Sequence, residues 1–277
     1  MNLKALSYKL RQDAINIIIA GHGGHTGGDM SVMDILVALY FKEMNVTKDN
    51  FASNKHDHFI LSKGHSVESL YAVLAEKGFF SLDTVLKEFS KFKSQFIGHP
   101  NNKLPGIEMN SGSLGHGMPV AVGMALACKM NKSPDRTYTV LGDGELAEGS
   151  NWEAAMAASH YKLDNLCAII DRNKLQISGT TEQVMALDNL DKKWSSFGWH
   201  TIVLQDGNDI DALLKAFDEA KTVKGKPTVI IAQTTKGKGS LIMENKINWH
   251  HHVPNDEEYK SIINDLDKAY QEALANE

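Results

Sequence analysis

The chain has 277 residues, enough to bury a full core, and its 42% hydrophobic and 23% charged residues are the ordinary balance of a soluble globular protein. The formal charge is −5 and no basic block appears, which argues against nucleic acid as a partner. The longest apolar run, Ala14 to Ala20, is interrupted by Asn16 and is too short to span a bilayer; the amphipathic opening MNLKALSYKLRQDA does not read as a signal peptide. A cytoplasmic protein without a membrane partner is expected. Cys128 and Cys167 lie in apolar stretches and read as small core residues of a reduced compartment.

The first half is rich in helical spacing. Apolar residues recur at helical intervals over Leu3–Ala20, Ser31–Met44, Glu68–Lys77, Leu82–Phe92 and Gly117–Met130, and the segment His99 to Gly106 breaks the series with prolines and asparagines. The second half alternates. Short apolar runs at Thr137–Leu141, Leu166–Asp171, His200–Leu204 and Thr228–Gln233 read as strands buried on both faces. Between them Glu148–His160, Leu187–Phe197 and Ile210–Val223 read as helices. Strand and helix in alternation predict an α/β fold: a doubly wound, mostly parallel sheet with helices on both faces. The tail from Asp256 reads as a charged amphipathic helix. No repeat or long linker divides the chain, so one domain over residues 1–277 is expected.

The sharpest local signal is Gly142-Asp143-Gly144, placed after a strand and before a helix. Ligands of open α/β sheets bind beyond the carboxyl ends of strands, and glycines let the backbone approach them. Asp143 would repel a diphosphate, so a divalent cation between them is implied; magnesium, which shares itself between carboxylates and phosphates, suits the role, with calcium or manganese in its place. The next strand ends at Asp171 and is followed by Asn173, which adjacent parallel strands would set beside Asp143. The Leu175 carbonyl could supply a third oxygen. Asp143, Asn173 and Leu175 are the expected metal ligands.

Histidine number and placement add to this. Three of the twelve sit in glycine-containing turns: Gly24-His25-Thr26-Gly27-Gly28, Leu61-Ser62-Lys63-Gly64-His65, and Ile97-Gly98-His99-Pro100. The third leads through Pro105-Gly106-Ile107-Glu108 into Gly112-Ser113-Leu114-Gly115. Such turns at helix starts argue for one converging site. Imidazole titrates near neutrality and can both take and return a proton.

With Gly142-Asp143-Gly144-Glu145-Leu146-Ala147-Glu148-Gly149 and Asn173, these motifs resemble the thiamine-diphosphate enzymes, and among them transketolase, from about residue 10 to residue 254. The resemblance implies thiamine diphosphate as cofactor and transfer of a two-carbon ketol unit between sugar phosphates. It implies that His25, His65 and His99 surround the reactive thiazolium carbon and the first substrate hydroxyls. It places His65 and Gly144 at the diphosphate, Gly112, Ser113 and Leu114 along the aminopyrimidine edge, and Ile177 among the cofactor contacts. In Trp249-His250-His251-His252-Val253-Pro254, counting back from the proline selects His251 as the histidine that returns to diphosphate and substrate, with His250 close behind. A transition-metal reading of that triplet has no second ligand cluster to support it. The loop Thr234 to Ser240 resembles the family's loop after the last strand and lacks the glycine register of a Walker A loop. Two departures stand out. Thr26 replaces the family proline after the first histidine, and His22 competes with His25 but reads as a helix-end residue.

Transketolases carry the glutamate that activates the cofactor on a following pyrimidine-binding domain, and this sequence resembles only the first, diphosphate-binding part. By the resemblance Glu148 meets that glutamate without replacing it. The expectation is therefore an N-terminal subunit of a split transketolase, active with a C-terminal partner in an α2β2 assembly. A split enzyme for an unusual ketose and the α chain of another thiamine-diphosphate enzyme are the alternatives.

Overall fold

The computed structural model describes residues 1–53 and 55–275. In chain order the elements are α1 (Leu3–Gly21), α2 (Thr26–Ala38) with a π-turn at Leu39–Glu43, α3 (Lys48–Ala52), β1 (His58–Leu61), α4 (Val67–Glu76), α5 (Leu82–Glu88), α6 (Gly117–Met130), β2 (Thr137–Gly142), α7 (Gly149–His160), β3 (Leu166–Asp171), α8 (Thr181–Val184), α9 (Leu190–Ser196), β4 (His200–Leu204), α10 (Ile210–Thr222), β5 (Thr228–Ala232) and α11 (Asp256–Ala275). The five strands pair in parallel throughout, in the order β1-β2-β3-β5-β4.

The three central strands, β2, β3 and β5, are buried along their whole length. Period-two alternation divides their side chains between two cores. Tyr138, Val140, Ile169 and Ile230 face a layer built from α1, α2, α4 and α10, whereas Leu141, Ala168, Ile170, Val229 and Ile231 face one built from α6, α7 and α9. Each large aliphatic side chain buried this way contributes about 1.5–3 kcal/mol relative to exposure. The α/β sheet with helices on both faces agrees with the sequence pattern.

Three differences from the sequence pattern have physical causes. Strand β1 is an additional edge strand, and its four residues are too few to show a period. Helix α2 begins at Thr26, five residues before Ser31, because Gly27 and Gly28 form its first turn. A Cβ on Gly27 would lie 2.8 Å from the Trp249 carbonyl oxygen and one on Gly28 3.0 Å from Ser66 Oγ, so close packing outweighs the poor helix propensity of glycine. Helix α5 stops at Glu88, short of Phe92, because Phe89 leaves the helical conformation and Ser90 takes a left-handed φ of +57°.

Helix α11 lies along α1, burying Ile262, Leu266 and Ala273. Asn2 Nδ2 donates to the Ala273 carbonyl at 2.7 Å and the Tyr259 hydroxyl to Asn16 Oδ1 at 2.8 Å. Arg11 grips Asp34 through two nitrogens, at 2.5 and 3.2 Å, and fixes α1 against α2. Cys128 and Cys167 are free and buried. Among the described residues no helix is long and apolar enough to cross a membrane.

After β3 the chain passes to α9 on one face of the sheet, and after β5 it passes to Met243 and Trp249 on the other. Departure to opposite faces opens a crevice at the carboxyl ends of the strands.

Candidate functional site

A cleft of about 360 Å³ occupies that crevice, lined by side chains and backbone from Gly28, Lys63, Gly142–Glu145, Asn173, Leu175–Ser178 and Lys236, with His25, His65, His99 and His250. Its first wall stands on the strand ends. Asp143, directly after β2, starts the short turn Gly144–Ala147 and is 2% exposed. Its Oδ1 accepts from the Gly144 N–H at 2.8 Å; its Oδ2 accepts from the Lys174 N–H at 2.6 Å and from Arg172 at 3.3 Å. Burial, with Asp171 beside it, pushes the Asp143 carboxyl up to about 6. Asn173 stands after β3, and its side-chain oxygen accepts from the Leu175 N–H at 3.1 Å. The Leu175 carbonyl accepts from Lys236 Nζ at 3.0 Å.

Two lysines that the sequence pattern did not single out complete this wall. Lys63 is 1% exposed and donates to Asp171 Oδ2 at 2.5 Å and to the Gly28 carbonyl at 3.0 Å. Burial would raise the Asp171 carboxyl, yet Lys63 and the hydroxyls of Ser31 and Thr234 hold it below its usual value. Lys236, also 1% exposed, is brought down to about 8 by burial and by the charge of Lys63. Behind them Glu145 accepts from the Ser62 hydroxyl and from the N–H groups of Gly115 and Gly142, at 2.9 and 3.0 Å, so one carboxylate joins the ends of β1 and β2 to the turn before α6.

The second wall is imidazole. His25 caps α2 with its ring centroid 5.1 Å from His65, 6.3 Å from His99 and 5.6 Å from His250. His65 lies in the turn Gly64–Ser66. The loop of His99 is anchored by the Tyr71 hydroxyl, 2.9 Å from the Ile97 carbonyl and 3.3 Å from that of His99. Gly112 packs against the His99 ring at a φ of +125°, and a Cβ there would come within 2.2 Å of His99 Cδ2. All four rings are driven toward the neutral form. Burial, then the charges of His251, His99 and the lysines, lowers His25 to about 4. Burial followed by Lys236 lowers His250 to about 3, and Lys236 Nζ donates to its Nδ1 at 2.7 Å. His65 and His99 are lowered mainly by burial.

The three turn histidines therefore converge as expected, and His22 is an exposed residue ending α1. The other expected site residues divide between the lining and the surface. Within the Trp249–Pro254 stretch the cleft is lined by His250, whereas His251 is exposed and packs against the His25 ring, with centroids 4.7 Å apart. Trp249 is buried beside His250, and Lys236 Nζ, 2.7 Å from the His250 Nδ1, holds that ring toward the cleft. Ser113 is exposed with its hydroxyl toward His116 at 3.3 Å, and it is Gly112 and Leu114 that reach the cleft. Ile177 sits at the mouth, 72% exposed, and Glu148 lies on the surface outside the lining.

The arrangement suits an anionic, hydroxyl-bearing ligand. The Asp143, Asn173 and Leu175 oxygens are hard donors of the kind magnesium or calcium takes. The lysines supply positive charge, and the Nδ1 of His25 is buried without a protein partner. Such a crevice marks an α/β protein with a strand-end cleft into which buried lysines, carboxylates and imidazoles face.

The sequence matches the family described as "Transketolase, thiamine diphosphate binding domain" over residues 3–270. It is 46% identical to one of the subunits of the apulose-4-phosphate transketolase of Phocaeicola vulgatus over 264 residues, 95% of this chain and 93% of that one. It is 41% identical to the SqwG subunit of the 6-deoxy-6-sulfo-D-fructose transketolase of a Clostridium species, covering 88% of this chain and 89% of that one. Human transketolase is 41% identical over 90% of this chain but only 39% of its own length. The fold superposes on the Pichia stipitis transketolase crystal structure with a TM-score of 0.88 at 31% identity, covering 99% of this chain and 44% of that one. The chain belongs to the transketolase family, as its thiamine-diphosphate-binding domain; it spans less than half the length of these single-chain transketolases.

Proposed function

We propose that this chain is the diphosphate-binding subunit of a split transketolase, which moves a two-carbon ketol unit from a ketose to an aldose acceptor. The observation that carries the reading is the convergence, in one cleft, of three oxygen-bearing groups (Asp143, Asn173, Leu175) with four imidazoles (His25, His65, His99, His250). Support for a split enzyme comes from the two relatives named as subunits, which this chain matches almost end to end.

Thiamine diphosphate fits these residues, and when bound it supplies the chemistry that breaks and makes the carbon–carbon bond. Asp143, Asn173 and the Leu175 carbonyl hold a divalent cation, magnesium being the best match to hard oxygen donors. Lys63 and Lys236, together with the Gly144 turn, face the diphosphate charge. Gly112 and Leu114 bound the cleft on the aminopyrimidine side, and Ile177 closes its mouth. His25 and His99, being neutral, can accept a proton from a substrate hydroxyl and later return it. His65 and His250 orient the ligand between them, His250 held by Lys236. His251 sits behind His25 and tunes it.

Glu148, exposed beside the cleft, is free to meet the activating glutamate of a C-terminal partner in an α2β2 assembly. The donor is read as an unusual ketose bearing an anionic group, of the kind the two subunit relatives are named for, with pentose phosphates as the second reading. Groups that bind the sugar's anionic end belong on the partner.

The test is to co-purify this chain with the product of the reading frame beside its own and supply thiamine diphosphate and magnesium. Ketol transfer to ribose 5-phosphate would be measured from apulose 4-phosphate, 6-deoxy-6-sulfofructose and xylulose 5-phosphate. Transfer by the mixture and by neither chain alone is expected. Turnover by this chain alone, or an assembled complex inert toward all three donors, would overturn the reading.

A further inference from the structure

At the opposite end of β1 from the cleft lies a second group of chemistry-bearing side chains that the proposed reaction does not use: His56, His58 and Glu108. Among the described residues these three have ligand atoms that all lie within 4.8 Å of one another. His58 Nδ1 is 2.9 and 3.1 Å from the two Glu108 oxygens, and His56 Nε2 is 3.4 Å from Oε1. A first-row divalent cation binds imidazole and carboxylate at about 2.0–2.2 Å, so ligands at the corners of its tetrahedron stand roughly 3.3–3.6 Å apart. The 3.4 Å between His56 and Glu108 matches that, and the 2.9 and 3.1 Å at His58 are somewhat shorter. His56 supplies an independent pointer. It is 2% exposed, and among the described residues neither of its ring nitrogens makes a hydrogen bond, Nε2 meeting Glu108 only through the 3.4 Å contact; a buried imidazole avoids that arrangement unless something else satisfies it.

We propose that His56, His58 and Glu108 form a structural site for a first-row divalent cation of the zinc type, with water in the remaining position. Two imidazoles and one carboxylate are borderline ligands that favour zinc over magnesium. Asp57 and Asp135 lie near His58 and add negative charge to the neighbourhood. The cation would tie the start of β1 to Glu108, which lies in the segment between His99 and Gly112, and so brace the loop that carries one histidine of the cleft.

Zinc is titrated calorimetrically into the chelator-treated full-length chain, and cobalt(II) is used as a spectroscopic substitute. One tight equivalent, a raised melting temperature and the visible bands of tetrahedral cobalt are expected. His58→Arg keeps a cation paired with Glu108 while removing a ligand, so it should retain its metal-free melting temperature, lose the bands and weaken zinc binding by more than about a hundredfold. Should that variant fail to fold, His56→Gln serves in its place. His25→Ala, in the cleft, should keep both signals. The proposal is overturned if the wild-type chain shows no tight zinc binding, if the ligand variant binds as the wild type does, or if the signals vanish in His25→Ala, which would place the cation among the cleft histidines.

Discussion

On one side of the cleft, Asp143 and Asn173 stand directly on the ends of β2 and β3, strands buried along their whole length and paired residue to residue. On the other side, His25, His65, His99 and His250 arrive on four turns from widely separated parts of the sequence. The first wall inherits its geometry from the sheet. The second depends on local devices: a glycine that admits the His99 ring, a tyrosine that pins its loop, and a lysine that holds His250. Their electrostatics differ too. The strand-end wall keeps paired charges, Asp171 with Lys63 and Asp143 with Arg172. The imidazole wall is held neutral by burial beside the same lysines.

This contrast can be broken at either wall. The largest effect is expected from Asp171→Ala, which leaves the Lys63 ammonium buried and unpaired. Removing one partner of such a pair costs about 3–5 kcal/mol, read from equilibrium urea unfolding. A loss below about 1 kcal/mol would mean that the pair does not organise the strand-end wall. Next comes His99→Ala in the assembled enzyme. If the second wall handles protons, kcat should fall about a hundredfold or more while cofactor affinity stays near normal; loss of affinity with unchanged kcat would reverse the assignment of the two walls.

A smaller effect follows from pH. His25 and His250 have folded values of about 4 and about 3, below the unfolded value near 6.5, so the unfolded chain binds more protons across that interval. Stability is therefore lost as pH falls from 6.5 toward 4, by about 1 kcal/mol per group after discounting for partial exposure. His25→Asn combined with His250→Asn should flatten the acid limb of stability measured at pH 7 and pH 5. An unaltered slope would show that these rings are not held neutral by the fold.

The same contrast explains what the sequence made legible. Asp143 and Asn173 could be read because each follows a short continuous apolar run, Asp143 inside a glycine turn and Asn173 two residues past the end of the next run. His25, His65 and His99 stood out as histidines within glycine turns. Lys63 and Lys236 did not, because a lysine in a loop reads as solvated and its burial is a property of the tertiary fold alone. The run His250-His251-His252 carries no internal sign of which ring faces inward; the tertiary contact with Lys236 marks His250. Strand β1 was hidden by its length, and the start of α2 by Gly27 and Gly28, which read as breakers until the Trp249 carbonyl lying against them is seen.

The most direct test of the account is calorimetric titration of thiamine diphosphate into the assembled enzyme, with magnesium and with chelator, for the wild-type chain and Asp143→Ala. The account predicts that binding needs the cation and that the substitution weakens it by about a hundredfold or more, the cost of removing a buried charged partner. Binding that survives both chelation and the loss of Asp143 would contradict it.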